Sequence, residues 1–204
     1  MIAIIDYGMG NVGSILNMLR KAGVEARICR SDEEILAADR LVLPGVGAFD
    51  HGMRSLRERG LIPVLEEKVH QRGTPVLGIC LGMQLMGNGS EEGREPGLGW
   101  LRATCVRFNP ASAPAPMKVP HMGWNTVRPA SDGLGWLSGD ARFYFVHSYH
   151  LQCSRPEDVL GWTTYGYPFV AAVRQDNILG VQFHPEKSHR FGLEVLRAFA
   201  EGRC

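Results

Sequence analysis

Residues 75–86 read Pro-Val-Leu-Gly-Ile-Cys-Leu-Gly-Met-Gln-Leu-Met. Pro75–Ile79 is a short apolar run of the kind that forms a strand buried on both faces. Leu81–Met86 begins a helix. The junction has the form Gly-x-Cys-x-Gly, from Gly78 through Cys80 to Gly82. That pattern sets Cys80 on a tight strand-to-helix turn, where the glycines leave room for the bent backbone and its neighbours. The helix N-terminus favours the thiolate. The amide of Leu81, next in the chain, can point at a developing oxyanion. Taken alone, the pattern fits equally a buried cysteine in a glycine-rich turn.

The same alternation extends outward. Ile2–Ile5 reads as a buried strand, and Asn11 can cap a helix whose Val12, Ile15, Leu16 and Leu19 recur at helical spacing. Gly23 stops that helix. Glu25–Cys29 and Arg40–Leu43 are further strands, the latter cut off by Pro44-Gly45-Val46-Gly47. Leu61–Gln71 is an amphipathic helix. Strands alternating with helices predict an α/β fold with a mostly parallel sheet covered on both faces. Sites in such sheets lie at the carboxyl ends of strands, here residues 7–10, 44–47 and 80–82. In the second half, Arg142–Tyr149, Leu160–Tyr165, Phe169–Arg174 and Ile178–Phe183 are strand candidates spaced as antiparallel hairpins added to that sheet. Phe191–Ala200 closes as a helix. Asn109–Met117, rich in Pro and Ala, reads as a surface loop within one domain spanning residues 1–204.

Composition narrows the function classes. The chain carries 22 Lys+Arg against 21 Asp+Glu, so no charge surplus points to nucleic acid or an anionic membrane. No apolar run is long enough to span a bilayer. Met1 leads straight into Ile2-Ala3-Ile4-Ile5 with neither a basic region nor a cleavage site, so no signal peptide is expected. Five widely spaced cysteines without a CxxC argue against a disulfide framework and a structural zinc, and favour the reducing cytoplasm. Cys29, Cys105 and Cys153 read as small core residues, and Cys204 is terminal. His51, His70 and His189 read as surface residues, and His121 as lining an approach to the site. No His/Asp/Glu cluster has metal-ligand spacing, so no metal or cofactor is expected.

A nucleophilic cysteine needs a base, and the base an orienting group. His184-Pro185-Glu186 follows the last strand candidate. In an extended segment His184 and Glu186 point to the same side, so the carboxylate can hold the imidazole in one tautomer. An ordinary surface turn fits these three residues as well.

Gly78–Gln84 together with Gly180–Glu186 (Gly-Val-Gln-Phe-His-Pro-Glu) resembles the class I, triad-type glutamine amidotransferases, a flavodoxin-like fold. Asp6–Asn11, Leu43–Gly47, Val119–Asn125, Tyr144–Tyr149 and His184–Ser188 narrow the resemblance to the glutaminase subunits of imidazole glycerol phosphate synthases of histidine biosynthesis. The resemblance implies a Cys80–His184–Glu186 triad that hydrolyses glutamine to glutamate and ammonia. It implies an oxyanion hole from the amides of Leu81 and Val46, with glycines that let the latter peptide reorient on a signal from the partner. It places the glutamine substrate against Gly45, Gly47, Gln84, His147, Ser148 and Tyr149. It implies a heterodimer with a (β/α)8-barrel cyclase, which receives the ammonia through a channel, with Asn11, Trp124 and Lys187 at the contact. Other readings stay open for these residues: helix surface for Gln84, strand packing for Ser148 and Tyr149, core packing for Trp124 and a solvated charge for Lys187.

A paralogue is also compatible. Gly97-Leu98-Gly99-Trp100 and Ser188-His189-Arg190-Phe191-Gly192 resemble relatives that supply ammonia to an ATP-dependent sugar amidotransferase in surface-polysaccharide synthesis. Met86–Ser90 also departs from the Phe-Glu version common among the histidine-pathway subunits. A non-catalytic binding module would keep the fold, but every triad position is filled, which counts against it; a cysteine hydrolase or chaperone of the related flavodoxin-like folds would need neither Gln84 nor the His-Pro-Glu ending.

Overall fold

The computed structural model describes residues 1–131, 136–137 and 140–203; Cys204 lies outside them. In chain order the elements are β1 (Ile2–Ile5), α1 (Val12–Lys21), β2 (Ala26–Cys29), α2 (Asp32–Leu36), β3 (Arg40–Gly45), α3 (Phe49–Glu58) and α4 (Leu61–Glu66). Then follow β4 (Val76–Cys80), α5 (Leu81–Leu85), β5 (Ala103–Arg107), β6 (His121–Thr126), β7 (Arg128–Pro129), β8 (Arg142–His147) and β9 (Tyr149–Cys153). β10 (Val159–Tyr165), β11 (Tyr167–Gln175), β12 (Ile178–Val181) and α6 (His189–Glu201) complete the chain.

The main sheet has the order β2-β1-β3-β4-β12-β11-β10-β7. Its first five strands are parallel. The last three join antiparallel; the hairpin spacing predicts this for β10 and β11, whereas β7 falls outside the strand candidates and β12 joins β4 in parallel. Along β1 the period of two sends alternate side chains to opposite faces. Ala3 and Ile5 pack with Leu41, Leu43, Phe49, Leu56 and Leu65 on one side. Ile2 and Ile4 pack with Val42, Leu19, Val195 and Phe199 on the other. A doubly covered sheet of this kind is an α/β fold. Among the described residues no helix is long and apolar enough to cross a membrane.

Four expectations need correction. β3 does not end at Leu43; it continues through Pro44 to Gly45, which pairs with Cys80. The 61–71 helix is α4 followed by one wider turn over Glu67–Gln71. The run at 142–149 breaks at Ser148 and does not enter the main sheet: β8 pairs with β6 and β9 with β5, in two separate ribbons. The last strand stops at Val181, two residues before Phe183. The 109–117 segment is an exposed loop as expected, with a short 3₁₀ turn at Pro110–Ser112.

Candidate active site

β4 and α5 meet at Cys80, whose backbone has φ 53° and ψ −113°. A non-glycine residue at positive φ costs on the order of 1–3 kcal/mol and persists only where its surroundings over-determine it. Here they do. β4 is pinned between β3 and β12, with Gly45 opposite Cys80 and Val181 opposite Ile79. The flanking glycines admit no side chain. A Cβ on Gly82 would lie 1.8 Å from the Leu43 carbonyl oxygen, one on Gly78 2.7 Å from Met83 Cα, and one on Gly180 2.4 Å from Met83 Cγ. The glycines therefore let α5 lie against the strands and hold the bend.

His184 follows β12, and Glu186 reaches it by a route other than strand alternation. His184 itself is extended, but Pro185–Lys187 forms a 3₁₀ turn that folds Glu186 back. The His184 Nδ1 to Glu186 Oε1 distance is 2.8 Å, with the side chains only 1% and 2% exposed. A carboxylate accepts, so Nδ1 carries the proton and Nε2 faces the rest of the site. Nε2 has no aligned hydrogen-bond partner among the described residues. Burial pushes the imidazole down, but interaction with Cys80 and with Glu186 outweighs it and raises His184 to about 10. The backbone of His184 is clamped as well. Its N–H donates to the Tyr144 carbonyl at 2.9 Å, and its own carbonyl accepts from Ser188 Oγ at 2.6 Å. Ser188 Oγ in turn accepts from the Tyr144 N–H at 3.0 Å. Sequence reasoning assigned no role to Ser188, although it stands in both the His184–Ser188 and the Ser188–Gly192 motifs.

A cavity of about 190 Å³ opens beside these groups. Cys80, His184, Leu81, Val46 and Gly47 form one part of its wall; Gln84, His147, Ser148 and Tyr149 form another, with Val146. Gly45 lies one step behind that wall. A Cβ there would meet the Tyr7 hydroxyl, the Gly82 nitrogen and Leu81 Cβ within 2.8 Å. Gln84 is buried inside the site and is not a helix-surface residue. Its Nε2 donates to the Tyr149 carbonyl and to Gln182 Oε1, each at 3.0 Å. Gln182 Nε2 donates to Cys80 Sγ at 3.7 Å, a contact that reading Gly180–Glu186 as a motif did not anticipate.

Val46, just past the end of β3, is 42% exposed, and Gly47 has φ 105°. Behind them Tyr7, fully buried, donates its hydroxyl to the Pro44 carbonyl at 2.6 Å. Tyr7→Phe strips the donor from a buried acceptor, which costs about 1–3 kcal/mol. A urea midpoint for Tyr7→Phe equal to that of the parent chain would contradict this.

His147 has a buried neighbour, His121, and burial pushes the two down to about 3 and about 4 respectively. An unfolded chain protonates such groups near pH ~6.5. Below that pH the unfolded state binds more protons, so stability falls as pH falls, and the loss runs down to the folded values. The urea midpoint should drop steadily from about pH 6.5 to about pH 4, and less steeply in His121→Phe. Identical slopes in the two proteins would refute the assignment for His121.

Trp124 is 40% exposed and stacks on His189 with ring centres 5.3 Å apart and planes 4° apart. Core packing is therefore not its role. The Trp124 and Tyr144 ring centres are 6.2 Å apart, and Lys187 Nζ lies 5.6 Å from the Tyr144 ring centre, so the three form one patch. Asn11 accepts the Ser14 N–H at 3.2 Å as the cap of α1. Among the described residues no group of three His, Cys, Asp or Glu side chains is placed to hold a metal ion.

A strained cysteine elbow, an imidazole held by a buried carboxylate and a small cavity beside them are the equipment of a thiol-dependent amide hydrolase. Residues 3–201 match the glutamine amidotransferase class I family, and the chain belongs to it. Among its relatives is a Pseudomonas aeruginosa protein named imidazole glycerol phosphate synthase subunit HisH 2, 50% identical over 98% of this chain and 99% of its own length. A Methanococcus maripaludis protein of the same name is 52% identical over 98% of each. A solved structure described as a glutamine amidotransferase superimposes with a TM-score of 0.72 over 99% of this chain and all of its own, at 22% identity, which supports the fold.

Proposed function

We propose that the chain, over residues 1–204, is the glutaminase subunit of an imidazole glycerol phosphate synthase. The observation that carries this reading is the convergence of Cys80, His184 and Gln84 on one cavity of about 190 Å³. His184 Nε2 takes the Cys80 proton, and a base raised to about 10 keeps it. The sulfur then attacks the side-chain carbonyl carbon of glutamine. Negative charge gathers on the carbonyl oxygen, where the amides of Leu81 and Val46 receive it. His184 passes its proton to the departing nitrogen, the C–N bond breaks and ammonia leaves. Water, giving a proton to His184, attacks the γ-glutamyl thioester. The C–S bond breaks, the thiol is restored and glutamate departs. Glu186 keeps Nδ1 protonated throughout, so the other nitrogen does the work. Gln84, Ser148, Tyr149, His147 and the Gly45–Gly47 backbone hold the amino-acid head group.

Ammonia released to water would become ammonium, a poor nucleophile. A partner that takes it directly avoids this loss, and the relatives named as synthase subunits support one. We assign that partner as a (β/α)8-barrel cyclase making imidazole glycerol phosphate and AICAR, in a cytoplasmic heterodimer. Trp124 and Lys187 supply the docking patch, and Asn11 stands at the start of α1. Reorientation of the Val46 peptide is the gate through which docking raises turnover. The relatives' names do not favour supply to a sugar amidotransferase. The test mixes the chain with the barrel cyclase of the same organism, glutamine and the ribulosyl nucleotide. Imidazole glycerol phosphate formed from glutamine is expected. No product and no complex, with the cyclase active on ammonium salts, would overturn the acceptor assignment and turn attention to the sugar amidotransferase.

A further inference from the structure

His147 Nδ1 lies 2.7 Å from the Tyr149 carbonyl oxygen, which can only accept, so Nδ1 holds the proton. Burial holds the ring neutral, its value pushed down to about 3, so Nε2 is an acceptor. His121 Nδ1 lies 3.0 Å from that Nε2 and must therefore donate to it. His121 is neutral by the same argument, so its Nε2 accepts from Asn125 Nδ2 at 3.3 Å. The Asn125 amide is itself fixed. Its Oδ1 accepts from the Thr126 N–H at 2.8 Å, and its Nδ2 also donates to the Thr164 carbonyl at 2.9 Å. Only one arrangement of protons satisfies every link.

The chain ends where the substrate head group would sit. The Tyr149 carbonyl has two lone pairs: one receives His147, the other Gln84 Nε2 at 3.0 Å. Both amide hydrogens of Gln84 are used within the protein, on Tyr149 and on Gln182. What remains for a ligand is Oε1, an acceptor, which suits an α-ammonium group.

We propose that Asn125, His121 and His147 are positioning residues, a one-directional hydrogen-bond relay that fixes the Tyr149 carbonyl and so presents Gln84 Oε1 to the ammonium of glutamine. The relay also links that site to the surface. In β6, His121 and Asn125 stand on the inward face, while Met122 and Trp124 on the other face are 62% and 40% exposed. A partner seated on Trp124 bears on the strand that carries the start of the relay. The inference rests on the glutaminase reading.

The test measures glutamine binding to a Cys80→Ala chain by calorimetry, with and without His121→Phe. Phenylalanine keeps the ring packing of His121 on Tyr165 (centres 4.2 Å apart) and Phe145 (4.8 Å apart) but removes both nitrogens. Binding should weaken roughly five- to tenfold, the scale of one hydrogen bond, and His121→Gln should recover part of it. In the otherwise unaltered chain the same His121→Phe substitution should raise KM with little change in kcat. Nitrogen-15 NMR of the unaltered chain should find both rings neutral with the proton on Nδ1 through the neutral pH range. Unchanged affinity with a lowered Tm would mean a merely structural pair and overturn the proposal, as would a proton on Nε2 of His121. If Cys80→Ala binds no glutamine at all, the glutaminase reading fails, and the NMR proton positions still decide whether the relay exists.

Discussion

Cys80→Ala is expected to abolish glutamine hydrolysis, by a factor on the order of 10⁴ or more, because among the described residues no other sulfur lines the cavity and the pathway runs through a bond to that atom. The fold should survive. Alanine keeps the Cβ, so the strain at φ 53° is unchanged and only one buried atom is lost. The change in stability should stay within about 1 kcal/mol. Docking should survive too, since Cys80 is buried and Trp124 and Lys187 are untouched. The complex with the cyclase should therefore still make product from ammonium salts while making none from glutamine. Retained turnover of glutamine by Cys80→Ala would sink the mechanism. Loss of the ammonia-dependent reaction would contradict the separation of the two sites.

Gly82→Ala should be nearly as damaging, for a steric reason. The new Cβ would sit 1.8 Å from the Leu43 carbonyl oxygen and 2.7 Å from its carbon. Those are backbone atoms of β3, a strand paired on both sides to β1 and β4, so the obstacle cannot swing away. α5 must move instead, carrying the Leu81 amide and Gln84 with it. Overpacking of this severity should cost about 3 kcal/mol or more. A displacement near 1 Å in the machinery costs about 10²-fold in rate. We expect a much lower Tm and a loss of glutaminase activity of at least that size in whatever folds. Gly13→Ala is the control, because nothing lies within 4 Å of a Cβ there and α1 should tolerate or gain from it. Equal Tm values for the two variants would refute the packing argument.

Much of the sheet was legible because its strands are buried on both faces and read as plain apolar runs. β1 and β4 fall where those runs stand, β2 at the sheet edge leaves Arg27 exposed, and Cys80 falls at the one junction with a glycine on either side. The sequence did not expose α2, although Ser31 and Glu34 form the reciprocal cap that marks such a start. In α3 the buried Phe49, Met53 and Leu56 keep helical spacing, but Gly52 and a run of charged residues obscure it. β6 was hidden for a different reason. Its inward face carries His121 and Asn125, joined by hydrogen bonds where a strand would ordinarily show apolar residues. Ser188, Gln182 and Tyr7 belong to the same class: each gains meaning from one polar contact with a residue distant in sequence. The proposed triad was readable because its three members sit in two short motifs. The route from His184 to Glu186 was not, since a 3₁₀ turn and an extended segment can bring the same two side chains together.

The most direct test of the covalent mechanism is to quench the chain, bound to its cyclase, with acid during glutamine turnover and map its peptides by mass spectrometry. The peptide carrying Cys80 should appear with an added mass equal to glutamine minus ammonia, and the adduct should vanish in His184→Ala. Glutamine turnover with Cys80 unmodified at every quench time, or with the adduct on another residue, would contradict it.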